Sequence, residues 1–158
     1  MNQFVIDASL TLDWCFIDEQ SPYGDAILSL LEDEENQATA IVPNLWPLEV
    51  LNALIVAERR NRVTYDEAQE FLAVIHGLDI EVEPTTSDQA FSNTFDDTYA
   101  LARKHRLTAY DAAYLELAIR RGLPLASLDD ALNKAALASG VNLVQLPPDK
   151  STQDPKTV

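Results

Sequence analysis

Short apolar runs alternate with longer amphipathic stretches along most of the chain. The runs have the length and composition of buried strands, and they lie at 3–7, 39–42, 80–83, 124–128 and 141–146. Segments with helical periodicity begin near residues 8, 21, 45, 64, 87, 108 and 129. Strands that alternate with helices predict an α/β fold, with a mainly parallel central sheet and helices on both of its faces.

Several helix boundaries can be assigned from capping signals. The first helix is predicted over 8–17, and Pro22 stands at a permitted first-turn position of the second. Thr64, with Glu67 three residues on, has capping-box spacing. Ser87 or Asp88 is the predicted cap of the helix over 87–105. The sequence LWPLEVLNALIVAERRNR is also helical, and its apolar stripe consists of Leu48, Leu51, Leu54 and Ile55.

Length and composition predict one globular domain over 1–146, followed by a polar, proline-bearing tail at 147–158. The chain has 158 residues and is 47% hydrophobic, enough for a sizeable core. No apolar stretch approaches the length of a membrane span, and the amino terminus lacks the pattern of a signal peptide, so we expect a cytoplasmic protein without membrane contact. The single cysteine, Cys15, cannot form an internal disulfide.

The formal net charge of −15 limits the partners that the protein can hold. Affinity for nucleic acid rests largely on Lys and Arg at phosphates, so the charge opposes tight, nonspecific nucleic-acid binding. It does not exclude a nuclease, since a bound metal ion supplies local positive charge, and it favours a basic protein partner.

Four carboxylates stand where an apolar segment meets the start of a predicted helix: Asp7, Glu49, Asp111 and Asp129. In an open α/β sheet these positions share one edge, where ligands usually bind. Two carboxylates about 4 Å apart repel by roughly 4 kcal/mol at an effective dielectric near 20, so a cluster needs a proton or a metal to persist. Oxygen ligands of this kind suit Mg²⁺ or Mn²⁺.

Each aspartate has a simpler interpretation as a helix cap. Asp7 can cap the helix after the first strand, Asp111 has capping-box spacing from Thr108, and Asp129 suits a helix amino terminus. Glu49 is harder to explain in this way, because it lies in a nearly all-apolar turn.

Two further polar residues are candidates for a supporting role. Ser9 lies two residues after Asp7 and can approach the same site as a hydroxyl donor. Asn52 lies one turn after Glu49 and can hydrogen-bond its carboxylate or a water. No serine–histidine–acid arrangement is evident, and the four glycines are too widely separated for a phosphate-binding loop or a dinucleotide fingerprint.

Four motifs in order resemble those of the PIN-domain ribonucleases, and most closely those of VapC-type toxins of toxin–antitoxin pairs. They are FVIDAS, PNLWPLEVLNAL, LTAYDAAYLELA and PLASLDDAL, and the resemblance runs from about Asn2 to Leu146. It implies a three-layer α/β/α fold and cleavage of RNA with Mg²⁺ or Mn²⁺. The four acids of the family pattern are then Asp7, Glu49, Asp111 and Asp129.

The resemblance also implies roles for these residues. Asp7 and Asp111 are the most direct metal ligands, while Glu49 and Asp129 complete the shell through water or position the nucleophile. Ser127 matches a small hydroxyl residue common in the family motif and steadies the site.

The resemblance implies two kinds of protein contact. One is an antitoxin whose basic carboxyl-terminal segment enters the acidic groove, and the other is a homodimer. Trp14, Phe16, Leu45 and Trp46 are candidates to line that groove or the dimer contact, although burial in the core is favoured for most of them.

Two other functions stay open from the sequence. A metal-dependent phosphatase also needs clustered acids, but Asp7-Ala8-Ser9 lacks the second aspartate of the haloacid-dehalogenase pattern. The other alternative is a catalytically silent PIN-like binding module whose acids serve only as caps.

Overall fold

The centre of the molecule is a parallel sheet of four strands in the order β3-β2-β1-β4. The computed structural model describes residues 2–146, apart from the side chain of Ile17. The strands are β1 (Asn2–Ile6), β2 (Ala38–Val42), β3 (Ile80–Val82) and β4 (Leu125–Ala126). Because β1 pairs in parallel with both β2 and β4, its carboxyl end lies between the carboxyl ends of two neighbours.

Helices connect the strands and cover the sheet. They are α1 (Ala8–Asp13), α2 (Pro22–Glu32), α3 (Trp46–Arg59), α4 (Tyr65–Gly77), α5 (Ser87–Gln89), α6 (Tyr99–His105), α7 (Ala109–Arg121) and α8 (Asp130–Ala138). A π-helical stretch (Ala90–Thr98) joins α5 to α6, and short 3₁₀ turns occupy Ile17–Glu19 and Glu34–Asn36.

Both faces of the sheet are covered. Phe4, Val5 and Ile6 follow one another in β1 and are all buried, and every residue of β2 is buried as well. Consecutive buried residues in a strand point to opposite faces, so a continuous apolar run requires a helix layer on each side. Helix α7 packs on β1 and α2 packs on β2. The predicted α/β/α fold with a parallel sheet is therefore confirmed.

The predicted strand at 141–146 does not form. Residue Leu143 makes only an isolated bridge to Leu125, supported by the N–H of Leu125 on Asn142 O (2.9 Å) and the N–H of Val144 on Leu125 O (2.9 Å). Strand β4 is two residues long, so it offers too short an edge to order a fifth strand.

Helix α3 buries a different face from the predicted apolar stripe. Leu54 is buried, but Leu48, Leu51 and Ile55 are 71%, 44% and 37% exposed. The buried positions are Trp46, Val50, Leu54 and Ala57. The Trp46 indole N–H donates to Thr11 Oγ1 of α1 (3.0 Å), which sets the rotation of α3 about its axis. The prediction differed from the structure because sequence periodicity cannot distinguish a helix face that packs on the core from one that is available to a partner.

Two helix boundaries also differ from prediction. Helix α1 ends at Asp13 and not at residue 17, because Asp13 turns to accept hydrogen bonds from the N–H and hydroxyl of Ser21 (3.1 Å each). The helical segment at 87–105 is capped by Thr86, which forms a capping box with Gln89, in place of Ser87 or Asp88. The Thr64–Glu67 capping box at α4 forms as predicted.

Among the described residues, no helix is long and apolar enough to cross a membrane. Cys15 is a free thiol. The candidates Trp14, Phe16 and Trp46 are buried and Leu45 is half-buried, so packing inside the domain accounts for the three aromatic side chains. The polar tail predicted at 147–158 lies outside the described residues.

Candidate functional site

The candidate site lies at the carboxyl ends of β1 and β4. Asp7 follows β1 directly and caps α1, with Oδ1 accepting the N–H of Leu10 (3.0 Å). Ser127 follows β4, and its hydroxyl donates to Asp7 Oδ2 (2.6 Å). Since β1 and β4 are hydrogen-bonded neighbours, sheet pairing brings together two side chains that are 120 residues apart.

Asp7 is the most perturbed acid of the site. It is only 2% exposed, and burial raises the pKa of its carboxyl to about 6. Hydrogen bonds from Ser127, Leu10 and Ser9 oppose this shift, and the charge of Asp111 adds to it. The Ser9 hydroxyl lies 2.8 Å from both carboxylate oxygens of Asp7. Ser9 thus lies in direct contact with Asp7, and its supporting role stays a prediction.

Ser127 connects Asp7 to Asp129. While its hydroxyl donates to Asp7, its oxygen accepts the backbone N–H of Asp129 (3.0 Å). Asp129 caps α8 by accepting the N–H of Leu132 at Oδ1 (2.7 Å). The amide of Asn133, one turn into α8, donates to Ser127 O (3.0 Å) and fixes the backbone of the same loop. These bonds hold the β4–α8 loop, and Asp129 with it, against the end of β1.

Glu49 approaches the cluster from the first turn of α3. It is half-buried, and burial raises the pKa of its carboxyl. The Tyr114 hydroxyl donates a hydrogen bond to Glu49 Oε2. The predicted partner Asn52 is exposed, and within residues 2–146 it makes no hydrogen bond to Glu49.

Tyr114 is a site residue that the sequence analysis missed. Its side chain is 1% exposed, and the backbone amide of Ala8, next to Asp7, faces the same phenolic oxygen that contacts Glu49. Tyr114 thus connects the ends of β1 and α3. The available signal was its spacing, since it follows Asp111 by three residues and lies on the same face of α7.

Asp111 lies in the first turn of α7, whose amino end is capped by Thr108. Its backbone N–H donates to Thr108 Oγ1 (3.1 Å). Its carboxyl is half-buried, and burial raises its pKa, with a further contribution from the charge of Asp129. The charge of Asp111 in turn raises the pKa of both Asp7 and Glu49. Asp111 therefore interacts electrostatically with each of the other three acids.

The four carboxylates lie near one another but do not surround a single point. Within the part of the chain that the structure describes, no three His, Cys, Asp or Glu side chains are close enough together to hold a metal ion directly. The donor set nevertheless fits Mg²⁺ or Mn²⁺, because Mg²⁺ usually binds one or two carboxylates and completes its shell with waters and substrate phosphate. Direct ligation by Asp7 and Asp111, with Glu49 and Asp129 acting through water, is compatible with this open arrangement.

The chain is similar to known proteins both in sequence and in fold. The chain is 29% identical over 130 residues to the ribonuclease VapC3 of Pyrobaculum aerophilum, which covers 82% of this chain and 92% of the relative. The crystal structure of PAE2754 from the same organism superposes with a TM-score of 0.59 at 23% identity, covering 85% of this chain and 84% of that one. At 23% identity, the similarity to PAE2754 is evidence for the fold alone.

The family is shown by a match across most of the sequence. The model of the PIN domain matches residues 4–137, which include all four acids, Ser9, Ser127 and Tyr114. The resemblance to VapC-type proteins drawn from the four motifs agrees with the VapC3 match. This 158-residue chain, with its four-stranded parallel sheet and its acids at the carboxyl edge, belongs to the PIN-domain family.

Proposed function

We propose that this protein is an endoribonuclease that hydrolyses RNA phosphodiester bonds with Mg²⁺ or Mn²⁺. The observation that carries the proposal is the buried Asp7, whose carboxyl is hydrogen-bonded by Ser127 and faces the charge of Asp111. A buried acid with a raised pKa among further acids is typical of an active site rather than of a structural cap. Similarity to the ribonuclease VapC3 supports RNA as the substrate.

In this proposal Asp7 and Asp111 hold the cation, and Glu49 and Asp129 position water around it. There a bound cation would lower the pKa of a water and supply positive charge to the scissile phosphate. Ser127 and Ser9 hold the Asp7 carboxylate in one orientation. Tyr114 occupies Glu49 Oε2, which leaves Glu49 Oε1 free to accept a proton from the attacking water.

The proposal is tested by incubating purified, partner-free protein with a mixed single-stranded RNA pool in Mg²⁺, Mn²⁺ or EDTA. We expect cleavage with either metal and none in EDTA. Asp7→Asn and Asp111→Asn should each reduce the rate at least about 100-fold, the typical contribution of one preorganised charged group. Asp25→Asn, which changes an acid in the first turn of α2, is the matched control and should cleave like the wild type. Cleavage that survives in both site variants would contradict the assignment.

A catalytically silent binding module is the second candidate. It is favoured by the observation that Asp7 and Asp129 both cap helices, a role that needs no metal. In that case no metal supports cleavage, and Asp7→Ala, which removes the cap, lowers the free energy of unfolding without altering any activity. The same RNA assay, run beside a thermal unfolding measurement, separates the two functions.

We further propose that the protein is the toxin of a type II toxin–antitoxin pair and forms a homodimer. The net charge of −15 suits a partner with a basic carboxyl-terminal segment. Leu48, Leu51 and Ile55 form an exposed apolar stripe on α3, the same helix that carries Glu49, and so offer a contact surface beside the acids. Light scattering of the purified chain tests the dimer. The toxin–antitoxin pair is tested by co-purification with the product of a neighbouring short reading frame. We expect Leu51→Glu to abolish this co-purification.

A further inference from the structure

We propose that a cavity beside the acid cluster accommodates one unstacked nucleobase of the RNA and so sets the sequence preference of cleavage. The inference rests on the ribonuclease function proposed above. The cavity has a volume of about 290 Å³, and its lining includes Asn44, Leu45, Asn93, Thr94, Tyr110 and Arg120. This is near the lower limit of small-molecule sites, roughly 300 Å³, and therefore suits a single ring system.

The cavity adjoins the acids through two shared helix ends. Leu45, at the amino-terminal cap of α3, lines the cavity, and Glu49, one turn later, belongs to the acid cluster. On α7, Tyr110 lines the cavity and the next residue, Asp111, belongs to the cluster. One helical turn rises about 5.4 Å. A strand of RNA whose phosphate lies at the acids can therefore place a neighbouring base in the cavity.

The lining has the chemistry that proteins use to read a single-stranded base. Tyr110 is 63% exposed and presents an aromatic ring on which a base can stack. The amides of Asn44 and Asn93 and the hydroxyl of Thr94 can donate to and accept from a base edge. Within residues 2–146, the side chains of Asn44 and Thr94 and the Tyr110 hydroxyl have no hydrogen-bond partner, so they are available to a ligand.

The charges around the cavity favour a neutral ring over a phosphate. The cation that lines it is Arg120, and its guanidinium is held by Glu83 (2.9 Å) and Glu116 (2.8 Å). Both acids line the same cavity, so the local charge is balanced or negative. Arg120 already pairs with both acids, and Arg121 also pairs with Glu83, so a phosphate would have to compete with these carboxylates for the guanidinium. An uncharged base would meet amides, hydroxyls and a ring.

The experiment compares cleavage-site preferences in a randomised single-stranded RNA pool, read by sequencing the products. We expect the wild type to prefer certain nucleotides at one position near the cut. Asn93→Ala should reduce that preference about tenfold, the contribution expected of one hydrogen bond to a base edge. Tyr110→Ala should lower the cleavage rate about tenfold, because a base of any identity stacks on the ring, and should weaken the preference by a smaller factor. The matched control is Tyr65→Ala, since Tyr65 is 65% exposed in the first turn of α4 and lies outside the cavity. It should leave both rate and preference unchanged.

A second measurement keeps this inference separate from the ribonuclease proposal. Asp7→Asn protein is photo-crosslinked to RNA that contains 4-thiouridine, and the attached peptides are identified by mass spectrometry. Crosslinks at the start of α7 that disappear in Asp7→Asn/Tyr110→Ala protein support the base site even if no RNA is cut. If the wild type cleaves RNA and both cavity variants keep its nucleotide preference, the base site is overturned. The ribonuclease proposal is then unaffected. The base site would also be overturned if no crosslink formed at the start of α7. The same holds if Tyr110→Ala weakened only the binding of a partner protein.

Discussion

Two residues other than the four acids, Ser127 and Tyr114, organise the carboxylates. Ser127 bonds to both Asp7 and Asp129, and Tyr114 bonds to Glu49. Each contacts one carboxylate oxygen, Asp7 Oδ2 for Ser127 and Glu49 Oε2 for Tyr114, and so restricts the orientation of that side chain. In the proposed function the acids hold the cation and its water, and the two hydroxyls orient the carboxylates of Asp7 and Glu49.

Tyr114→Phe should lower the cleavage rate about tenfold while the domain remains folded. Loss of the hydroxyl frees Glu49 to rotate and removes a hydrogen bond that lowers the pKa of its carboxyl. The acid limb of the pH–rate profile should therefore move to higher pH. Tyr65→Phe, at an exposed tyrosine, is the control. A reduced rate with an unmoved acid limb would show that Tyr114 orients Glu49 without lowering the pKa of its carboxyl, and an unchanged rate would remove Tyr114 from the site.

Asp7 should make the metal-free protein less stable as the pH rises. Its folded pKa, about 6, lies above the unfolded value of 3.8, so the folded state binds the proton more tightly. The free energy of unfolding should therefore fall between about pH 4 and pH 6, by an amount on the order of 2 kcal/mol. Urea unfolding in EDTA, repeated with Asp7→Asn, measures the difference. A wild-type curve parallel to that of the variant would contradict the raised pKa.

Helix α3 shows how an element can match a helical pattern and still bury another face. The segment is helical as predicted, but its core contacts come from Trp46, Val50, Leu54 and Ala57. Leu48, Leu51 and Ile55 face solvent on the helix that carries Glu49. This exposed stripe is therefore more readily explained by a partner surface than by folding.

Leu54→Ala and Leu51→Ala should differ sharply although both remove the same atoms from one helix. Leu54 is 2% exposed, and its truncation should lower the free energy of unfolding by about 3 kcal/mol. Leu51 is 44% exposed, and its truncation should change stability by less than about 0.5 kcal/mol. Chemical unfolding of the two variants tests the assigned rotation of α3. Equal losses would mean that Leu51 is buried in the folded protein, for example in a dimer.

At the scale of the molecule, the acid cluster sits in a chain whose net charge is already −15. The raised pKa values of Asp7, Glu49 and Asp111 all express the cost of keeping buried or neighbouring acids ionised. A divalent cation or a basic peptide would relieve that cost. The same electrostatic feature thus connects the proposed metal with the proposed partner.

Mg²⁺ or Mn²⁺ should raise the thermal unfolding temperature more at pH 7.5 than at pH 5. Cation binding requires ionised carboxylates, and at pH 5 Asp7 is largely protonated because its pKa is about 6. A free cation concentration 100 times the dissociation constant stabilises the folded state by about 2.7 kcal/mol. Differential scanning fluorimetry with Asp7→Asn as the control measures the effect. An equal shift at both pH values, or in the variant, would place the cation elsewhere.

The sequence by itself determined the local elements and the identity of the acids. Strand and helix order, the Thr64 and Thr108 caps and the position of each acid at a helix start follow from short-range patterns of periodicity and capping. Motif order was enough to indicate the family, because it depends on residue identity and spacing. These features need no knowledge of what lies across the sheet.

Only the tertiary structure decided how distant residues meet. The Ser127 bond to Asp7 depends on the pairing of β1 with β4, and the Tyr114 bond to Glu49 depends on how α7 lies beside α3. The exposed face of α3 and the absence of a strand at 141–146 also depend on neighbouring elements. Burial and hydrogen bonding between segments are properties of packing, and local sequence patterns carry no record of which segments pack together.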